Sequence, residues 1–245
     1  MRYPIPKDAF WAKRRPRHGD PTDWHPLASH CLDVAACCEA LLHLPNIRAK
    51  LSRLANIAEW PGVWTARLVV LAMLHDFGKA NIGFQQQSAH AGHIIQASAL
   101  AYGSKEFCAA GLGILADWGI DPRELLAVTL AHHGQPPDLS NPLQMEFLWT
   151  KEAISGVREL VDIALEAWPL SITKDAPLFP DSAPFWHAVV GLFQLSDWIG
   201  SDDREDAFPY EVETDGPRLP IARARASALF KTTGLDAESL RLQLD

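Results

Sequence analysis

The chain is short of cysteine, of long apolar runs and of positive charge, and each shortage narrows what it can be. Only four thiols occur in 245 residues, Cys31, Cys37, Cys38 and Cys108, and no two form a C-x-x-C pair. That argues against a disulfide framework or a thiolate zinc site, and leaves all four as small buried apolar side chains in a reducing compartment. The longest strongly apolar run, Leu68 to Leu74, is far too short to span a bilayer. The opening Met1-Arg2-Tyr3-Pro4-Ile5-Pro6-Lys7-Asp8 lacks the apolar segment of a secretory signal, so a cytoplasmic protein without membrane contact is expected. No G-x-x-x-x-G-K-[ST] phosphate loop is present, so this chain is not itself an ATP-driven motor. Internal repeats, low-complexity tracts and linkers long enough to divide domains are missing too.

The charge deficit bears on partners. The 22 Lys and Arg against 30 Asp and Glu give a net charge of −8. Residues 1–24 carry six basic side chains against three acids, whereas Asp197 to Asp215 holds eight acids and only Arg204. Nonspecific DNA affinity comes from cations that displace counterions, and an acidic protein has no such general surface. If it handles nucleic acid, bound metal or a partner must supply the attraction.

At 48% hydrophobic and 21% charged, the composition is that of a globular protein, and the pattern present is helical. Leu27, His30, Cys31, Val34, Cys38, Leu41 and Leu42 recur at three- and four-residue steps between Pro26 and Pro45. Ile47, Leu51 and Leu54 mark a short second helix. Val63 to Phe77 is apolar nearly all round, which predicts a buried central helix ended by Gly78. Further helices are predicted over His93–Tyr102, Lys105–Trp118, Pro122–His133, Leu143–Trp168 and Pro184–Gly200, with weaker ones after Leu219 and Asp236. Turn chemistry separates them at Gly134-Gln135-Pro136-Pro137, Asn141-Pro142 and Pro177 to Pro184. Strand alternation is nearly absent. The expectation is one all-α domain over residues 1–245, a helical bundle with its core at about 10–201 and an acidic, weakly helical extension at 202–245.

Polar residues interrupt these apolar faces at particular places. His30 lies on the inward face of its helix. His75-Asp76 closes the buried helix, and His132-His133 closes another just before Gly134. His93 opens a helix, and Asp197 sits late in an apolar one. A buried imidazole or carboxylate needs a partner, and a divalent cation satisfies several together. Neighbours in a regular helix diverge by about 100° and cannot share a small ion, but a helix C-terminus relaxes that limit. Asp76 has two oxygens and can bridge two ions. His18, His25, His43, His90 and His187 lack such a setting and read as surface or capping residues, with His90 the competitor for the place of His93.

The order H…HD…H…HH…D resembles the HD superfamily of metal-dependent phosphohydrolases. One branch is closer: the CRISPR-associated HD nuclease, the DNA-degrading domain of the type I interference helicase–nuclease. Phe10-Trp11-Ala12-Lys13 and Trp24-His25-Pro26-Leu27-Ala28-Ser29-His30-Cys31-Leu32-Asp33-Val34-Ala35 are similar to its N-terminal signature. His75-Asp76-Phe77-Gly78-Lys79, Ala131-His132-His133-Gly134 and Ser196-Asp197-Trp198-Ile199-Gly200-Ser201 continue the likeness. The stretch between Asp76 and His93 is shorter than in many relatives, and His93 lacks their usual following Glu.

The resemblance implies an HD-domain bundle around a dinuclear metal site. It puts His30, His75, Asp76 and Asp197 on one ion and Asp76, His93, His132 and His133 on the second. Lys79 would contact the scissile phosphate and Ser201 the substrate. The implied activity is hydrolysis of single-stranded DNA, with a helicase domain or subunit feeding the strand and linking the chain to a surveillance complex. Five imidazoles favour a transition metal such as Fe, Mn, Co or Ni, with Mg possible. Two rival expectations are an HD phosphohydrolase acting on nucleotides or cyclic nucleotides, and a catalytically silent HD adaptor that binds a helicase.

Overall fold

Proline and capping side chains set where the helices begin. The computed structural model describes residues 10–14, 17–18, 23–134, 146–210 and 217–236. Pro26 precedes α1 (Leu27–His43), and Pro45 opens α2 (Pro45–Leu54), where a missing N–H costs nothing. The apolar run forms α3 (Gly62–Met73). Two short helices follow, α4 (Ile82–Gln85) and α5 (Ile94–Tyr102), then α6 (Ser104–Ala109). The Asp121 carboxylate accepts from the Arg123 N–H to cap α7 (Pro122–Leu130). Thr150 and Ser182 cap α8 (Lys151–Ala167) and α9 (Ala183–Gly200) in the same way, and α10 (Arg218–Thr232) is the last described helix.

At the centre of the core is α1, packed against α3, α9 and α10. Its Cys31, Val34, Ala35, Cys37, Cys38 and Leu42 are sealed from solvent, as are Leu68, Val69, Leu71, Ala72 and Met73 of α3. Each such Leu or Val contributes about 1.5–3 kcal/mol on burial. Among the described residues no single helix is long and apolar enough to cross a membrane.

The all-α expectation holds, with local corrections. Trp11–Arg14 (β1) and Trp24–Pro26 (β2) form a small antiparallel hairpin, too short to show alternation in the sequence. The helix expected over Lys105–Trp118 breaks at Gly111, whose φ of 79° suits glycine, and Leu112–Trp118 is a 3-10 segment. The one expected over Leu143–Trp168 starts at Lys151, residues 143–145 lying outside the described residues. The central helix stops at Met73, not Phe77, and α7 at Leu130, not His133; 3-10 turns at Phe77–Ala80 and Ala131–His133 follow.

The helix expected after Leu219 is α10, which packs across α1. The one expected after Asp236 and the turns at residues 135–137 and 141–142 lie outside the described residues. Cys108 is exposed, unlike the other three thiols, because α6 is a short surface helix.

Candidate metal centre

Five chain segments end at one place. His30 comes from the first turn of α1 and Asp197 from the last turn of α9. His75 and Asp76 occupy the turn that leaves α3, His93 caps α5, and His132 and His133 lie in the turn after α7. Both paired motifs thus fall just past a helix end, where adjacent side chains can converge. Gly78 makes the α5 approach possible. A Cβ there would sit 2.1 Å from the His93 carbonyl oxygen, so only glycine lets α5 seat on the turn. Buried Asn81 holds the same loop by donating from Nδ2 to the Gly78 and Gly92 carbonyls at 2.6 and 3.0 Å.

Asp76 divides its carboxylate between two groups of imidazoles. Its Oδ2 lies 3.1 Å from His30 Nε2 and 3.3 Å from His75 Nε2. Its Oδ1 lies 3.2 Å from His93 Nε2 and 3.8 Å from His132 Nε2. Asp197 Oδ1 closes the first group, 3.7 Å from His30 and 3.6 Å from His75. His133 closes the second, its Nε2 3.1 Å from that of His93. Donor atoms of His30, His75 and Asp76 all lie within 4.8 Å of one another, as do those of His93, His132 and His133 and those of His75, His132 and Asp197. Every residue expected at the metals is therefore in one cluster. His30, His75, Asp76 and His132 are buried, while His133 is exposed and forms the rim.

These donors fit divalent cations by a test internal to the structure. His30 Nε2, His75 Nε2, Asp76 Oδ1 and His132 Nε2 are buried without a hydrogen-bond partner, and all face the cluster. Such orphans are costly unless an ion completes them. The opposite ring nitrogens of two histidines are already committed: Nδ1–H of His75 donates to Ala72 O, and Nδ1–H of His132 to Thr129 O, each at 2.9 Å. In the neutral ring that fixes the tautomer and leaves Nε2 as the lone-pair donor, so His75 gives up its second proton to accept a cation.

Charge in the cluster is strongly coupled. Burial alone would raise Asp76, but Lys79, His75 and His30 hold its carboxyl well below the usual range. Asp197 is likewise held down against burial by His75 and His30. Burial works to lower His75, but Asp76 and Asp197 outweigh it and push the imidazole up to about 9. His132 goes the other way, to about 4, through burial and the neighbouring His75.

Lys79 lies in the same turn as Asp76, its Nζ 2.5 Å from Oδ2. The Ser201 hydroxyl donates to Asp197 Oδ1 at 2.8 Å and accepts from Lys13. In the sequence Lys13 figures only in the Phe10-Trp11-Ala12-Lys13 signature, and nothing in its local context places it here. His25 is a correction. Read as a surface or capping residue, it is buried, with Nε2 2.8 Å from Asp33 and its ring stacked on Tyr210. His18, His43, His90 and His187 are exposed, as expected.

The family described as Cas3, HD domain, matches residues 11–205, most of the chain and all of the cluster. The chain belongs to the Cas3 HD-domain family. The CRISPR-associated endonuclease/helicase Cas3 of Thermus thermophilus is 30% identical over 223 residues, covering 82% of this chain and 23% of that protein. This chain thus spans about a quarter of the curated relative. The Thermus thermophilus Cas3 HD domain, with a crystal structure obtained in the presence of Ni2+, superposes with a TM-score of 0.61 and 26% identity. That match covers 89% of this chain and 87% of the other. The T. fusca Cas3 structure, at 23% identity and TM-score 0.66, covers 94% of this chain and 27% of that one and shows the fold alone. Cas3 HD membership implies a metal-dependent hydrolase, and among the described residues the histidine–aspartate cluster brings together donors that can hold metal.

Proposed function

We propose that this chain hydrolyses phosphodiester bonds of single-stranded DNA in type I CRISPR interference, using two divalent transition-metal ions. The division of Asp76 carries the reading, because one carboxylate facing two imidazole groups is the donor pattern of a two-ion phosphodiesterase. His30, His75, Asp76 and Asp197 would hold one ion, and Asp76, His93, His132 and His133 the other. Five imidazoles favour Fe, Mn, Co or Ni over Mg. Bound there, the ions supply Lewis-acid polarisation of the phosphoryl group and activation of the attacking water.

The protein's own residues do the rest. The Nδ1 hydrogen bonds of His75 and His132 hold those rings in one tautomer and orientation. Asp76 and Asp197 stay ionised, so neither needs to lose a proton to accept a cation. Lys79 presents an ammonium beside the scissile phosphate and stabilises the charge that develops there. The exposed His133 rim is the side from which a strand enters. Positive charge is thereby local, which reconciles an acidic chain with a polyanionic substrate.

In this reading the whole chain is one HD unit that works in the cytoplasm. Its partner is a helicase domain or subunit that delivers the displaced strand and connects it to the surveillance complex. The test is turnover of a fluorescent single-stranded oligonucleotide, a duplex and small or cyclic nucleotides by the purified chain, with Mn2+ or with EDTA. Mn2+-dependent cleavage of the single strand, lost in EDTA and in Asp76→Ala, is expected. Equal activity in EDTA overturns the reading, and preferred turnover of cyclic nucleotides replaces it with a nucleotide phosphohydrolase.

A further inference from the structure

The hairpin at the start of the described chain packs beside the HD turn and sends one side chain to the edge of the cluster. Lys13 sits on β1, and the pairing of β1 with β2 is irregular between Trp11 and Lys13. Such a bulge re-aims a side chain. The strand is pinned at Trp11, just before the deviation. Trp11 N–H donates to Gln85 Oε1 and its Nε1–H to the Gln85 carbonyl, both at 3.2 Å. Gln85 Nε2 donates back to the Trp11 carbonyl at 3.0 Å and to the Lys79 carbonyl at 2.7 Å. The Trp11 ring stacks on Phe84 with centroids 4.5 Å apart.

The end of Lys13 donates to the Ser201 hydroxyl, and that hydroxyl donates to Asp197 Oδ1 at 2.8 Å. The same Asp197 oxygen faces His30 and His75. A hydroxyl has one proton to give, and with Lys13 supplying a hydrogen bond to its oxygen, that proton is directed onto Asp197. The ammonium therefore fixes the hydroxyl rotor, and the hydroxyl fixes the carboxylate. Ser201 is the C-cap residue of α9, four positions after Asp197, so the pair spans the last turn of that helix.

We infer that Lys13 is a positioning residue that acts through Ser201 to aim the Asp197 carboxylate at the His30–His75 side of the metal centre. The inference rests on the proposed reading of the cluster as a metal centre. It assigns the hairpin a role beyond covering the core: β1 is the support from which the metal-facing carboxylate of α9 is oriented.

The test is Mn2+ binding to the full chain by calorimetry, with ion counts by elemental analysis, alongside KM and kcat on a single-stranded oligonucleotide. Lys13→Met and Ser201→Ala should each weaken binding at the Asp197 side by roughly 10–100-fold, the range for lost outer-shell hydrogen bonds. The double variant should be no worse than the weaker single one, because both break one relay. Ser201→Thr, which keeps the hydroxyl, should bind as the parent does. Circular dichroism and a melting curve check folding; Ser201→Ala removes only one oxygen and keeps the inference testable if Lys13→Met unfolds. Unchanged Mn2+ affinity in Lys13→Met with a raised KM overturns it in favour of direct strand contact. Additive losses in the double variant also overturn it. A parent protein that takes up no Mn2+ overturns instead the metal-centre reading beneath it.

Discussion

His93 Nε2 lies 3.2 Å from Asp76 Oδ1, the carboxylate oxygen turned away from His30 and His75. His93 therefore serves one side of the cluster while Asp76 serves both. His93→Ala should bind one ion where the parent binds two, with the His30 side still occupied. Asp76→Ala should bind neither and show no turnover. Elemental analysis of dialysed protein gives the counts. Equal ion content in the two variants would refute the division of labour.

Lys79 is tied to the same carboxylate but has no lone pair to offer a metal while it is charged. Lys79→Met should keep the ion count and lose turnover by about 10²–10³-fold, the usual scale for removing one charge-stabilising donor. Single-turnover assays at saturating Mn2+ measure this. A variant that loses metal together with activity would make Lys79 a support for Asp76 instead.

The buried His25 gives a pH dependence separate from catalysis. Burial lowers its pKa below the ordinary 6.5, against the hydrogen bond and charge of Asp33, while Arg218 and Lys13 lower it further. Its ring is stacked on Tyr210, and Nδ1 has no hydrogen-bond partner, so a second ring proton would find no acceptor. The unfolded chain then binds more protons than the folded one at mildly acid pH. The stability contributed by neutral His25 is whole above 6.5 and falls as pH drops toward the folded value, by up to about 1.4 kcal/mol per pH unit. His25→Gln keeps a donor toward Asp33 and removes the titration. Melting curves between pH 7.5 and 5.5 in EDTA should fall more steeply for the parent than for this variant; parallel curves would exclude His25 as the source.

What the sequence reveals and conceals follows from distance along the chain. The imidazoles and carboxylates stood out because each breaks an apolar helical face, a local signal that survives without the fold. Their division between two ions is an expectation of the family resemblance, and the structure brings the same seven side chains together. His25 misleads in the sequence because what holds it is distant: its partner Asp33 is eight residues on, and Arg218, which holds Asp33, lies 185 beyond that. Next to proline, it looks like a cap. Lys13 was hidden for the same reason, since Ser201 lies 188 residues away. The hairpin is missed because three or four residues are too few to show a period of two, and the break at Gly111 because glycine inside an apolar pattern reads as tolerated.

Two Arg–Asp ion pairs should differ sharply in worth. Arg218 donates from Nε and Nη2 to the two oxygens of Asp33, both at 2.8 Å, with side chains 4% and 0% exposed. Arg158 donates from Nε alone to both oxygens of Asp162, at 2.9 and 3.1 Å, with side chains 53% and 56% exposed. Arg218→Met leaves the buried Asp33 carboxylate with only the His25 hydrogen bond and loosens α10 on α1, at a cost of about 3–5 kcal/mol. Arg158→Ala should cost less than about 1 kcal/mol, because water and salt already screen that pair. Urea unfolding of both variants reads the contrast. Equal losses would mean that α10 is not held by this contact.

Gly78 joins fold to site. A Cβ at this position would meet the His93 carbonyl oxygen at 2.1 Å and Ala97 Cβ at 2.8 Å, and the first of these is backbone that cannot swing aside. Gly78→Ala must therefore push the start of α5 away from the HD turn, with a strain of about 1–3 kcal/mol. The displacement carries His93 with it but leaves His30, on α1, and Asp197, on α9, in place. The variant should melt lower and lose the ion on the His93–His132–His133 side while keeping the other. Gly113→Ala is the matched control, since a Cβ there meets nothing within 4 Å. It should alter neither melting temperature nor ion count, and a Gly78→Ala protein that also kept both ions would show that α5 can shift without moving His93.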